Sequence, residues 1–489
     1  MDKAAVVWFR KDLRVHDHEP LVQAAKSGLP VVGIYVFDPK EFEETRYGFK
    51  KTDRHRARFV QDSVEDLRSN LETIGVPLLI RHGDPAEAFS VLSEHIFIHS
   101  VYLHEEIGSE ELAVEHAVRD SLPDASFMVS HGRNLIHPDD LPFAIEELPQ
   151  TFSQYRKRLE AAETKVRAAV PAPLHVTGIS LPKSLSLGVC PTLSELGLNE
   201  LTRPPRYTGG SSLAKERLTD YFFTKDRLKV YKETRNGMLA EDDSSKFSPW
   251  LAHGCLSPRV VYEQIKRYEK NRVENGSTYW LYVELLWRDY FHLVHRKFGN
   301  RLFFASGLRD FSVPWEQDEE LTEAWINGKT GYPLVDAAMR ELKETGFMSN
   351  RGRQNAASFF TKNLGLDWRI GAAWFESELV DFDVASNYGN WLYSAGVGND
   401  PIQFRTFNVE KQAADYDPAG DYIKHWLPEL SRVPVPWIHA TREMGFIEQE
   451  EYGVTLGKDY PLPVIDLHEA MRERREQFKQ AMKQNDTQS

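Results

Sequence analysis

A change of hydrophobic period near residue 133 constrains this chain more than any other feature of it. Before that point short apolar or β-branched runs, at residues 4–9, 31–37, 76–80, 101–103 and 127–129, alternate with amphipathic stretches. Each run has the length of a strand. Between the second and third, Val60, Val64, Leu67, Leu71 and Ile74 recur at spacings of four and three, which lines them along one face of a helix over residues 54–74. Strands alternating with helices pair in parallel through right-handed crossovers, so residues 1–132 read as an α/β domain with a doubly wound parallel sheet.

Residues 133–205 read as a connector: a helical piece over 153–169, then a stretch too rich in proline and glycine for a long regular element (PAPLHVTGISLPKSLSLGVCPTLSEL). From 206 to 489 the spacing is helical almost throughout, with breaks at Asn236-Gly237, Asn275-Gly276, Asn327-Gly328 and Asn399-Asp400-Pro401. The chain closes on a charged helix, EAMRERREQFKQAMKQ, and a polar tail. Ten of the eleven tryptophans fall at or beyond Trp250. Their ordinary use is to fill a core, so by number alone they assign no chemistry.

Several classes of protein are excluded by what is missing. No stretch nears the roughly 20 unbroken apolar residues of a membrane helix. The opening AAVVWF is cut off by RKDLR, so it reads as a strand rather than a signal peptide, and a cytoplasmic monomer is the expectation. Only two cysteines occur, Cys190 and Cys255, and neither lies in a C-x-x-C or other close ligand spacing, so neither a disulfide framework nor a thiolate zinc site is expected. His16/His18 and His292/His295 lack cysteine or carboxylate partners at ligand spacing, so no metal is expected. A net charge of -13 opposes phosphate binding, and the excess of acid is denser in residues 1–132. Any nucleic-acid face must therefore be a local patch in the remainder.

Glycine-rich phosphate loops are also missing. No G-x-G-x-x-G follows the first strand, and Gly-Lys-Thr at 328–330 lacks the upstream glycine of a P-loop. A pyrophosphate would have to be held by hydroxyls and basic groups, as Ser244-Ser245-Lys246-Phe247-Ser248 could do ahead of a helical stretch. The same pattern also serves as a plain helix cap.

Five tracts read together are more specific: VVWFRKDLRVHDHEPL, SSKFSPWLAHGCLSPR, ELLWRDYF, WINGKTGYPLVDAAMRELKETGFMSNRGRQNAASF and DWRIGAAWFESELVDFDVASNYGNWLYSAG. In this order, from residue 4 to about 430, the chain resembles the photolyase/cryptochrome family. RYTGG at 206–210, Gln354 after NRGR and Tyr393 after NYGNW are similar to its DASH-type branch. The resemblance implies an N-terminal α/β domain, a connector and an all-α C-terminal domain holding FAD. Tyr231, Ser244, Ser245, Lys246, Phe247 and Ser248 match positions that cradle the flavin phosphates. Arg353 and Asp381 match a buried pair beside the flavin ring; Asp383 and Asn387 match groups facing its ribityl–adenine side and N5. Glu284, Arg288, Asn350 and Phe382 complete the implied cofactor set. Trp391, Trp368 and Trp315 match an electron-transfer chain, for which indole suits because it gives up and recovers an electron without breaking a bond.

The resemblance further implies a substrate cavity rimmed by Glu284, Trp287, Asn350, Gln354 and Tyr393, with Arg235, Arg351 and Arg405 on DNA phosphates. Photolyases acting on duplex DNA carry methionine and tryptophan where this chain has Gln354 and Tyr393. A more polar pocket offsets less of the cost of flipping a base from a duplex, so single-stranded DNA is the expected substrate. The implied activity is light-driven repair of cyclobutane pyrimidine dimers; the alternative is a blue-light photoreceptor or DNA-binding regulator. A second chromophore, 5,10-methenyltetrahydrofolate, is usual in the family, and Glu106 is the position most like its carboxylate contact.

Overall fold

The computed structural model describes residues 3–182, 184–309, 312–400 and 404–486. Pro401, in one of the breaks named above, lies outside the described residues. Five strands form one parallel sheet in the order β3-β2-β1-β4-β5: β1 Lys3–Trp8, β2 Val31–Phe37, β3 Leu78–His82, β4 Phe97–His104 and β5 Ser126–Ser130. Register is set by pairs such as Val6 with Val32 and Val7 with Tyr102. The expected strands are all present, β3 two residues later and β4 much longer than its apolar run. His99 and Ser100 precede that run yet belong to β4: Ser100 pairs with Ala5, the register shifts at His99, and pairing with β1 on both sides outweighs local propensity.

The helix over Arg54–Thr73 buries Val64, Leu67 and Leu71, the face that the spacing predicts. Ala4, Val6, Trp8, Ile34, Leu79, Phe89, Val101, Leu103 and Val118 pack together into the core of the sheet. Because the chain starts in the middle strand, winds outward to β3 and then crosses to β4, its winding reverses at the carboxyl ends of β1 and β4. Such reversals open a crevice in doubly wound sheets.

The predicted 153–169 helix is shorter, Phe152–Ala161. Glu163 adopts a left-handed backbone (φ 49), which ends it. Downstream the connector runs along the sheet: Val31 N donates to Thr177 O and Ile80 N to Leu187 O, both at 2.8 Å.

Two compact units emerge. The first takes residues up to Lys232, Ser245–Gly299 and Val380–Val384; the second takes Glu233–Ser244, Asn300–Leu379 and residues from Ala385 onward. Helix Gly276–Phe298 belongs to the first because its side chains hold the connector. Asp289 accepts from Leu135 N and Ile136 N at 2.9 and 2.8 Å, Tyr290 Oη donates to Gln150 O at 2.6 Å, and Trp287 stacks on Phe152 at 3.8 Å. The second unit is helical, with Leu334, Tyr422, Ile423, Leu427, Ile438 and Tyr460 in its core. No helix among the described residues is long and apolar enough to cross a membrane.

Candidate functional site

In the first unit the predicted site residues gather around Asp383. Arg133 reaches two carboxylates at once, Glu106 through Nη1 and Asp383 through Nη2, the latter at 3.0 Å. His292 Nε2 lies 3.0 Å from the same Asp383 oxygen, and Arg288 donates to the carbonyls of Arg133 and Leu251. Burial penalises the charge on Asp383, but His292, Arg133 and Arg288 outweigh it and hold the carboxyl well below its ordinary value. Burial also pulls His292 down to about 4, so at neutral pH it is an uncharged donor to an ionised acid. On either side, Phe382 lies under the Arg56 guanidinium at 4.7 Å and Val380 O accepts from His253 at 2.8 Å. Asp381 is buried beside them.

The serine segment is unusual at its centre. Lys246 is buried and carries a left-handed backbone, φ 58, costly for a long side chain and found mainly where the surroundings enforce it. Ser245 is buried and its carbonyl accepts from Arg217 at 3.1 Å; Phe247 packs on Phe222, and Ser248 opens the short helix Ser248–Ala252. Tyr231 is buried in the same unit, while Ser244 falls in the second. Glu284 and Trp287 are half-buried on Gly276–Phe298, one helical turn apart.

In the second unit the three tryptophans are linked through shared elements. Trp391, on helix Val384–Ala395, is buried among Phe375, Trp325 and Phe360, at ring distances of 5.0, 6.1 and 6.0 Å. Its ring lies directly against Gly371, where a Cβ would fall 2.2 Å from Cη2. Gly371 sits one turn beyond Trp368 on helix Trp368–Glu378, so glycine there is what allows Trp391 to close on that helix. Trp368 and Trp315 donate their indole N–H groups to one shared acceptor, Ala305 O, at 3.2 and 3.0 Å. Backbone pairing of Glu316 with Gly365 and Asp367 keeps Trp315 beside the start of that helix. The Trp391 indole nitrogen, by contrast, is buried without a hydrogen-bond partner among the described residues. Asn387, one turn before Trp391, donates Nδ2–H to Ala372 O at 3.0 Å, which fixes its amide and leaves the carbonyl oxygen as an acceptor.

The rim residues of the same unit have mostly internal partners. Arg351 donates to Gln354 Oε1 at 2.9 Å and Asn236 Oδ1 at 3.3 Å, and stacks over Tyr416 at 4.1 Å. Since arginine has only donors, the Gln354 amide must turn its oxygen to Arg351 and its NH2 away. Arg405 is paired with the buried Asp400 at 2.9 Å and lies 6.0 Å from the Tyr393 ring. Arg353 donates to Met348 O at 2.9 Å, Asn350 is exposed at the start of helix Asn350–Ser358, and Arg235 is half-buried.

Three contributors escaped the sequence reading. Arg133 sits in an unremarkable loop after β5; Ala305 acts through its carbonyl, which no side-chain pattern marks; Arg474 lies in a terminal helix that reads only as charged. His18 finds its carboxylate six residues away rather than at ligand spacing. Asp12 Oδ2 lies 2.8 Å from His18 Nε2 and 2.7 Å from His104 Nδ1, at the carboxyl ends of β1 and β4. His18 Nδ1 accepts from Leu21 N at 3.1 Å and so caps the first helix, while His104 Nε2 is buried without a hydrogen-bond partner among the described residues; the three side chains are placed so that they could hold a metal ion.

Comparison with known proteins accords with this architecture. The family profile for DNA photolyase matches residues 5–174, and that for the FAD binding domain of DNA photolyase matches residues 280–480. The chain is 50% identical to cryptochrome DASH of Gloeobacter violaceus, over 96% of this chain and 94% of that protein. It is 47% identical to cryptochrome DASH of Synechocystis sp., covering 96% of each. The crystal structure of a Synechocystis cryptochrome superposes with a TM-score of 0.93 at 47% identity, over 97% of this chain and 99% of that one. That of a class III photolyase from Agrobacterium tumefaciens gives 0.84 at 29% identity, over 99% and 98%. On these grounds the chain belongs to the photolyase/cryptochrome family, within its cryptochrome DASH group.

Proposed function

We propose that the protein is a blue-light-driven FAD enzyme that repairs cyclobutane pyrimidine dimers, preferentially in single-stranded DNA. The observation that carries the reading is the linkage of Trp391, Trp368 and Trp315 through Gly371 and the shared Ala305 carbonyl. The residues fit a flavin: Asn387 offers a fixed amide with its oxygen uncommitted, and Asp383 is a locked negative charge. Tyr231, Ser244 to Ser248, Glu284, Arg288, Asn350, Arg353, Asp381 and Phe382 are proposed to hold the same group. Held by these residues, FAD would supply light-driven one-electron chemistry for opening the dimer. This chain's residues bind, orient and exclude water, and no acid or base is needed for the bond cleavage.

Substrate preference follows from the rim. Gln354, pinned by Arg351, presents an amide NH2 to a pyrimidine edge, and Tyr393 replaces a larger apolar ring. Polar groups of this kind offset little of the few kcal/mol needed to flip a base out of a duplex; Glu284, Trp287 and Asn350 are proposed as further substrate contacts. Illuminating the reduced protein with a dimer-bearing single-stranded oligonucleotide should restore thymine absorbance; no restoration would reject the reading. We assign 5,10-methenyltetrahydrofolate to Glu106 as an antenna, checked by a second absorption band beside that of the flavin. A cytoplasmic monomer remains the expected state.

One observation favours the second reading, a photoreceptor or DNA-binding regulator. Arg351 and Arg405 are committed to Gln354, Asn236 and Asp400, which leaves fewer cations for phosphates. If regulation is the role, affinity for undamaged DNA changes between dark and light; equal affinity at matched salt removes it.

A further inference from the structure

The C-terminal helix Leu467–Asp486 places a buried cation on the last of the three linked tryptophans. The Arg474 guanidinium lies 4.6 Å from the Trp315 ring centre and is 3% exposed. It donates to Pro314 O and to Gln477 Oε1, while Nε and Nη2 are buried with no hydrogen-bond partner, and no carboxylate forms an ion pair with it among the described residues. Phe478 meets Trp315 edge-on at 6.4 Å, and the buried Lys362 Nζ lies 3.7 Å from its face, where burial and Arg474 hold its pKa well below the ordinary lysine value. Lys362 bonds to Ala395 O. Burial brings Arg474 down to about 10, so it is charged at neutral pH.

A guanidinium over a neutral indole is attracted by the ring's negative face. Over an indole that has lost an electron, the same guanidinium is one positive charge facing another, in surroundings that screen poorly. The sign of the contact therefore reverses with the redox state of Trp315. Trp368, which shares the Ala305 carbonyl, has no such neighbour among the described residues: its nearest ring is Tyr388, at 6.2 Å.

Resting on the reading of the three tryptophans as an electron chain, we propose that Arg474 is a positioning residue that brakes the last hop, making Trp315 an unfavourable resting place for positive charge. In that hop one electron passes from Trp315 to oxidised Trp368, which becomes neutral, and one positive charge appears on Trp315; no proton moves. Light-excited oxidised flavin is the oxidant upstream, and an external one-electron donor such as a thiol refills Trp315. Without the donor the electron vacancy returns to Trp368. The brake ties photoreduction to the presence of a reductant.

The test is transient absorption of the tryptophan radical in the FAD-loaded full chain, without thiol. It is repeated on the cofactor-free chain, oxidised by an external photo-oxidant. Arg474→Met should lengthen the life of the Trp315 radical in both, on the order of tenfold, and raise photoreduction yield without thiol. Arg474→Lys, which keeps the charge, should behave as the unmodified protein, an outcome that a purely structural role does not give. Unchanged radical lifetimes in Arg474→Met, or equal changes in Met and Lys variants, would overturn the proposal. Trp315→Phe separates it from its foundation: if that variant photoreduces normally, the tryptophan reading fails. If it is impaired while Arg474→Met is unchanged, only the brake fails.

Discussion

Two regions of this molecule bury charge in opposite ways. Around Asp383 every charge has a partner: one carboxylate is shared by Arg133 and His292, and the second carboxylate on Arg133 is Glu106. Around Trp315, Arg474 lies on aromatic faces with no ion-paired carboxylate among the described residues, Glu316 acting on it only from a distance. A satisfied network fixes geometry and stays silent, since its fields cancel at short range. An uncompensated cation leaves a field, and that field acts on whichever neighbour changes charge. The first arrangement suits a place where a cofactor must be held still, the second a place where charge must move.

The largest expected effect comes from breaking the satisfied region. Asp383→Ala leaves Arg133 and Arg288 with Glu106 as the one carboxylate paired to them among the described residues, a surplus positive charge in a buried setting that should cost about 3–5 kcal/mol of stability, seen as a lower Tm and denaturation midpoint. Asp383→Asn, which keeps the hydrogen bonds, should cost less. Equal losses would mean that shape rather than charge holds the network.

Next comes acid sensitivity. Burial pulls His253 from 6.5 down to about 4. Between those values the unfolded chain binds a proton and the folded chain does not, so stability falls as pH drops from 6.5 towards 4, by roughly 3 kcal/mol at most. His253→Gln should flatten that limb of the stability curve. Asp383, held low, loses its contribution only further down, below the ordinary carboxylate range. His253 and Asp383 thus separate in pH.

Gly371→Ala sharpens the other side of the comparison. The new Cβ meets the Trp391 ring and should cost about 1–3 kcal/mol by overpacking, with slower photoreduction because the ring is displaced. Loss of stability with unchanged photoreduction would disconnect Gly371 from the linked tryptophans. The smallest effect is expected from Gln354→Met, a few-fold gain in duplex over single-stranded repair, measured on matched oligonucleotides. A gain of the same size on both substrates would assign the residue to dimer affinity rather than to flipping.

What could be read from the sequence follows the range of the interactions. The strands and the Arg54–Thr73 helix were legible because their periods are local; the end of Phe152–Ala161 was not, since it depends on one left-handed residue, Glu163. At the candidate site, tracts located Asp383 and the tryptophans, but not Arg133, 250 residues away from Asp383, nor a backbone carbonyl such as Ala305. Arg351 read as a phosphate contact because a sequence lists charges and not their partners. Arg474 was not singled out because its helix reads only as charged, and packing alone buries that position.

The most direct test of the whole account is photoreduction of bound flavin under blue light in the unmodified protein and in Trp391→Phe, followed by loss of the oxidised flavin band. The account predicts that both proteins bind FAD equally, that the first bleaches with added thiol, and that the variant bleaches at least tenfold more slowly. Equal rates in the two would show that electrons reach the flavin by another route and would contradict it.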